Sequence, residues 1–207
     1  MELKDKILSS YVAFENDMDM NSDIHEIRTK ALENFEKLGF PSKKLEAWKY
    51  TSLNLILKND YCLFPNKETP IDLANVKKYL IQEIDSYKVV FIDGKYNSFL
   101  SETTHDTIDV CLMSAALTKP KYKIVIENYF NKIAKQDNLT SLNTAFAKEG
   151  VYIYIPKNVE VQKPIQIVNF TTGAEIATMM QPRNLIVVEE NAHVQIIERH
   201  QSLTSNA

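Results

Sequence analysis

The sequence predicts an α+β protein in which a helical N-terminal subdomain leads through a mixed α/β segment into the first coils of a β solenoid. Three observations predict this. Apolar residues recur at three- and four-residue steps through the first 57 or so residues, and Gly150 marks a change to alternation by two. In addition, Ile153-Tyr154-Ile155-Pro156-Lys157-Asn158-Val159-Glu160-Val161-Gln162 lines up with Ile186-Val187-Val188-Glu189-Glu190-Asn191-Ala192-His193-Val194-Gln195 at an offset of 33 residues. Each copy reads strand, polar corner, strand. Such a unit cannot bury its apolar face alone, so repetition implies coils that cover one another. Solenoids need about three repeats or more, and the chain stops at Ala207 after two, so the expectation is the front part of a longer protein.

The elements follow in order. Leu3, Ile7, Leu8, Tyr11 and Phe14 form one helical stripe. A second helix is capped by Ser22 or Asp23, with Glu26 at capping-box spacing from Asp23, and carries Ile24, Ile27, Ala31, Phe35 and Leu38. Gly39 suits its left-handed C′ position, Phe40 can pack back on the last turn, and Pro41 prevents continuation. Ser42 is expected to start a third helix through Leu45, Trp48 and Leu53. These elements make up residues 1–57.

Residues 58–149 form the mixed region. Asn59, Asp60, Pro65, Asn66 and Pro70 mark a connector, followed by a helix expected near residues 72–84. Lys88-Val89-Val90-Phe91-Ile92 is a buried strand, and Asp93-Gly94 a turn signal. Residues 108–117 fit strand or helix equally, and residues 123–147 are mostly helical. From 150 to 207 the period is two. Val151, Ile153 and Ile155 share one side, then Val159 and Val161, then Ile165 and Ile167, with corners at Pro156-Lys157-Asn158 and Lys163-Pro164 where a missing N–H does no harm.

Composition excludes several functions. Lys plus Arg total 24 against 27 Asp plus Glu, a net charge of −3, which offers no general attraction to nucleic acid. The longest apolar run, Val151 to Ile155, is far short of a membrane span, and Met1-Glu2-Leu3-Lys4-Asp5-Lys6 has no signal-peptide block. A cytoplasmic protein is expected. Four glycines cannot assemble a P-loop or a dinucleotide fingerprint. Cys62 and Cys111, 49 residues apart with no CxxC neighbour, are expected to be reduced, partly buried thiols.

At this point the chain resembles a known family. Arg28, Ala31-Leu32, Phe35, Leu38-Gly39-Phe40-Pro41, Lys44, Glu46, Trp48-Lys49-Tyr50-Thr51 and Leu53 are similar to the N-terminal signature of the SufD proteins, of the SufB/SufD family in the SUF iron–sulfur cluster assembly system. Leu142-Asn143, Ala145-Phe146, Gly150, Ile153, Ile155-Pro156, Pro164-Ile165-Gln166-Ile167, Arg183-Asn184-Leu185 and Glu198-Arg199-His200 resemble the entry to that family's β-helix core. The resemblance covers most of residues 25–57 and 139–204. It implies the first coils of a right-handed parallel β-helix, a non-enzymatic scaffold role, and SufB-like and SufC-like (ATPase) partners, with pairing of two copies as a further option. The ligands attributed to the family lie later in its β-helix. The resemblance therefore assigns no catalytic, cofactor or metal residue here, and iron or a cluster is expected only in the full complex.

The polar residues weigh as follows. Glu198 and His200 share one face of a strand by alternation, and carboxylate with imidazole suits iron, although the ordinary place for such a pair is the solvated outer face of a coil. Trp48 is expected in the core of the helical subdomain, the alternative being an exposed docking patch with Tyr50. His25, His105 and His193 lack triad or metal spacing and are expected at the surface. Lys119-Pro120-Lys121-Tyr122-Lys123 is expected to be a linker. Glu189-Glu190 with Glu198 would be the carboxylates of a carbohydrate-active solenoid, the competing reading, and a solenoid adaptor outside cluster assembly is a third.

Overall fold

A computed structural model describes residues 2–16, 23–63, 71–103, 107–133, 135–173 and 177–204. Among them lie helices α1 (Leu3–Asn16), α2 (Asp23–Leu38), α3 (Leu73–Lys77), α4 (Met113–Leu117), α5 (Pro120–Tyr129) and α6 (Asn138–Phe146). The strands are β1 (Tyr87–Ile92), β2 (Lys95–Tyr96), β3 (Asp109–Leu112), β4 (Val151–Ile155), β5 (Ile165–Thr171), β6 (Leu185–Val188) and β7 (Ile196–Ser202). The class is α+β. The chain forms two compact units, Met1–Asp60 with Pro120–Lys148, and Tyr61–Lys119 with Glu149–Ala207.

In the first unit, α1 buries Leu3, Ile7, Tyr11 and Phe14, at steps of four, four and three. The rings of Tyr11 and Phe14 meet Phe146 of α6 at 5.5 and 5.3 Å. Helix α2 buries Ile24, Arg28, Ala31 and Phe35, while Leu38, expected in the stripe, is exposed. Its end is as expected. Gly39 has φ +63°, its N–H bonds the Phe35 carbonyl at 2.7 Å, and Phe40 packs edge-on against Phe35. Asn138 of α6 completes this terminus by donating to the Leu38 and Gly39 carbonyls at 3.2 and 2.7 Å. Asp137 and Thr140 form a reciprocal capping box on α6. The cap expected of Ser22 lies outside the described residues, as does the Asp23 side chain.

Three expectations fail in identifiable ways. The third helix is absent: Glu46–Trp48 and Ile56–Lys58 are single 3₁₀ turns. The Ser42 and Ser52 hydroxyls take the N–H groups of Lys44 and Asn54, a local competitor to helix. Lys119 to Lys123 is no linker, because Pro120 occupies the first position of α5, where its missing N–H is harmless. The helix near 72–84 stops after Lys77. Downstream, the buried side chain of Gln166 takes both groups of the Ile81 peptide, accepting from its N–H (3.1 Å) and donating to its carbonyl (2.9 Å), and also donates to the Ser86 hydroxyl.

The second unit holds two mixed sheets, ordered β2-β1-β5-β7 and β3-β4-β6. Asp93 and Gly94, at φ +47° and +77°, make the tight β1–β2 turn. The ambiguous stretch resolves into both options in sequence, strand β3 and then helix α4. Strands β1, β5 and β7 run parallel, as do β4 and β6. Apolar residues of both sheets meet in one cluster: Val89, Phe91, Val110, Val151, Ile153, Ile155, Ile165 and Ile167. The other side of β1 and β5 is buried as well, Val90, Val168 and Phe170 packing with Val76 and Leu80. Strand β4 is likewise not one-sided, since Tyr152 is fully buried beside Val151 and Ile153. Among the described residues no helix is long and apolar enough to cross a membrane.

Candidate functional site

The site is the outer edge formed by β6 and β7, which the repeated sequence builds. Tyr152 pairs with Leu185, Ile153 with Ile186 and Ile155 with Val188, all offset by 33 residues. At the corner the same offset joins Glu160 to His193 through a parallel bridge, and Asn191 Nδ2 donates to Asn158 Oδ1 at 3.2 Å. Both asparagines are left-handed, φ +61° and +56°, a conformation asparagine tolerates better than other residues with a Cβ. After Lys163-Pro164 the offset drops to 31, Ile165 pairing with Ile196 and Asn169 with His200. The second copy thus lies on the first, two residues shorter at one corner.

Register determines which residues share a row. Alternation places Ile165, Ile167 and Asn169 on one side of β5, facing the central cluster. Parallel pairing stacks Ile196, Glu198 and His200 of β7 on them. Glu198 and His200 therefore continue the inward row. Both side chains are nevertheless solvated, Glu198 43 % and His200 62 % exposed, as expected of the pair, because β7 is an edge strand. His200 Nε2 stands 3.4 Å from Glu198 Oε1, and Asn184 Nδ2 donates to that same oxygen at 3.1 Å. Asn184 is itself held by the Val151 N–H, which bonds its Oδ1 at 2.9 Å. Beneath His200, Asn169 is 5 % exposed and its Nδ2 has no hydrogen-bond partner among the described residues. Sequence reasoning missed Asn169 and Asn184 as part of this group. The signal for Asn184 was its 33-residue spacing from Val151; Asn169 needed the 31-residue register.

The other candidates disperse. Tyr50 is 89 % exposed and Trp48 is half-buried in a 3₁₀ turn, so Trp48 is not a core residue and the correction favours the surface alternative. Leu45, Leu55 and Ile56 on the same stretch are also exposed. His25 is half-buried rather than free at the surface, with Nδ1 3.0 Å from Glu15 Oε1. His105 lies outside the described residues, and His193 is exposed at its corner. Glu190 pairs with Lys157, and Glu189 accepts from the Tyr154 hydroxyl at 3.1 Å. Each has its own structural partner. Cys62 and Cys111 are free and half-buried, and burial raises the Cys111 thiol above its ordinary range. Burial also lowers the Arg28 guanidinium, which donates to the Ala147 carbonyl at 2.7 Å. Among the described residues no group of three or more His, Cys, Asp or Glu side chains could hold a metal.

The fold is that of an α+β chain whose two mixed sheets pair β5 with β7 and β4 with β6 in parallel, and comparison with known proteins assigns it to a family. A family model described as the SufBD protein N-terminal region matches residues 1–167, and the chain belongs to that family. It is 27% identical over 180 residues to an iron–sulfur cluster assembly SufBD family protein of Synechocystis, covering 86% of this chain and 39% of that one. It is 27% identical to the iron–sulfur cluster assembly protein SufD of Bacillus subtilis, over 84% of this chain and 40% of the relative. For SufD of Escherichia coli the identity is 22%, over 83% and 38%. The chain spans about two fifths of the length of these relatives.

Proposed function

We propose that this chain is the N-terminal part of a SufD-like, non-enzymatic scaffold subunit of an iron–sulfur cluster assembly complex, acting in the cytoplasm with a SufB-like subunit and a SufC-like ATPase. Membership of the SufBD family over residues 1–167 carries the reading, and relatives named SufD in two bacteria support it. The parallel pairing of the two repeats supports the finer reading of the fold, successive coils of a right-handed parallel β-helix. Its mechanism is positional. Strand edges and solenoid faces of the full protein are surfaces of the kind that recognise a sister subunit or a second copy, while β6 and β7, outermost in their sheets among the described residues, are where the next coil of a longer chain would pair. ATP hydrolysis belongs to the partner, and the cluster is cargo of the whole complex.

Co-purification tests this. The whole protein, expressed with SufB-like and SufC-like proteins from the same source and purified by a tag on one subunit, is expected to bring down both others in fixed proportion. Recovery of the tagged subunit alone at physiological salt would refute it.

A further inference from the structure

We infer that Glu198, His200 and Asn169 form a binding site for one divalent first-row metal ion on the inward row of the stacked strands. This goes beyond the scaffold role and does not depend on it. Three observations carry it. The first is spacing: His200 Nε2 and Glu198 Oε1 are 3.4 Å apart. That is long for a strong N–H···O bond, yet two atoms each about 2.1 Å from a tetrahedral ion stand about 3.4 Å apart. The second is the buried amide. Asn169 lies in register under His200, 5 % exposed, its Nδ2 without a partner among the described residues. A terminal amide turns over about its last torsion at little cost, which replaces the unsatisfied donor by a carbonyl oxygen, a third ligand. The third is orientation. Asn184 donates to Glu198 while its own Oδ1 is fixed by the Val151 N–H, the outer-shell support that metal-binding carboxylates receive.

The row changes character from one layer to the next in the way such a site requires. Ile165 is covered by Ile196, an apolar residue, whereas Ile167 is covered by Glu198 and Asn169 by His200. Of the three ligands, only Asn169 is buried, where an unpartnered amide is costly; Glu198 and His200, 43 % and 62 % exposed, are open to an ion arriving from solvent, and such an ion uses carboxylate, imidazole and amide oxygen together. Imidazole with oxygen ligands suits Zn²⁺, Co²⁺ and Fe²⁺; water fills the fourth position.

Zn²⁺ and Co²⁺ are the probes, added to metal-stripped protein. The parent is expected to bind one Zn²⁺ per chain by calorimetry, and Co²⁺ to give the visible absorption of a low-symmetry site. Glu198→Gln and His200→Ala should each weaken binding by about tenfold or more. Asn169→Asp, which adds a charged oxygen, should tighten binding and make the melting temperature rise more on adding Zn²⁺ than it does for the parent. His193→Ala and His25→Ala, which alter the imidazoles away from the site, should leave binding unchanged. The inference is overturned if the parent takes up no stoichiometric metal, or if the Glu198→Gln, His200→Ala double variant binds like the parent. It is equally overturned if His193→Ala or His25→Ala abolishes binding. Should the double variant fold poorly, paramagnetic broadening of the parent's His200 imidazole signals by Co²⁺, with His25 and His193 unaffected, decides the matter; broadening elsewhere contradicts the site.

Discussion

Replacing Gly150 by alanine tests the stacking of β6 on β4 at its starting point. A Cβ at this position would lie 1.9 Å from the Arg183 carbonyl oxygen and 2.4 Å from its carbon, both backbone atoms that cannot swing aside as a side chain can. The Arg183 peptide must therefore retreat by roughly 1 Å or more, the scale of overpacking in a filled core. Three hydrogen bonds sit on that joint: Met113 N–H to the Gly150 carbonyl (2.9 Å), Arg183 N–H to the Glu149 carbonyl (3.0 Å), and Val151 N–H to Asn184 Oδ1 (2.9 Å). The expected destabilisation is about 3 kcal/mol, the upper end for overpacking, since relaxation in any direction disturbs one of these bonds. For a chain of this length that corresponds to a fall in melting temperature of roughly 6–12 °C. Urea unfolding followed by far-ultraviolet circular dichroism measures it. A change within about 0.5 kcal/mol, the range of ordinary surface substitutions, would show that Gly150 and Arg183 do not approach in this way.

Two further outcomes follow from buried and capping groups. Gln166→Leu keeps the side-chain volume but leaves the Ile81 peptide groups and the buried Ser86 hydroxyl without their partner; the expected loss is about 2–4 kcal/mol, while Gln195→Leu, at an exposed position, should change little in the same urea titration. Asp137 accepts from the Thr140 N–H, which holds its carboxyl below the ordinary carboxylate range. Its contribution is therefore complete above the unfolded-state value of about 3.9 and is lost as pH falls through the lower folded value; Asp137→Ala should be less stable than the parent at pH 6, with the gap closing as the pH approaches 2.

The parts legible from the sequence were those decided by local chemistry. Gly39 with Pro41 ends α2, Asp93-Gly94 turns β1 into β2, and the corner asparagines 158 and 191 recur because both positions need the left-handed conformation. Readings failed where a distant group overrode local preference. Residues 78–84 have helical spacing, yet the amide of Gln166, 85 positions from Ile81, captures the peptide a longer helix would use. The serine turns at 42 and 52 displace a helix that Leu45, Trp48 and Leu53 would otherwise support. The polar site was half visible: alternation put Glu198 and His200 on one face, but only the shortened 31-residue register reveals that the face points inward and that Asn169 lies beneath it.

The claim that this chain serves iron–sulfur cluster assembly is tested most directly by measuring the activity of iron–sulfur enzymes in cells lacking its gene, normalised to the abundance of each enzyme protein. The account predicts a fall in activity at constant abundance, restored by the intact gene; activity equal to the parent strain under iron limitation would contradict it.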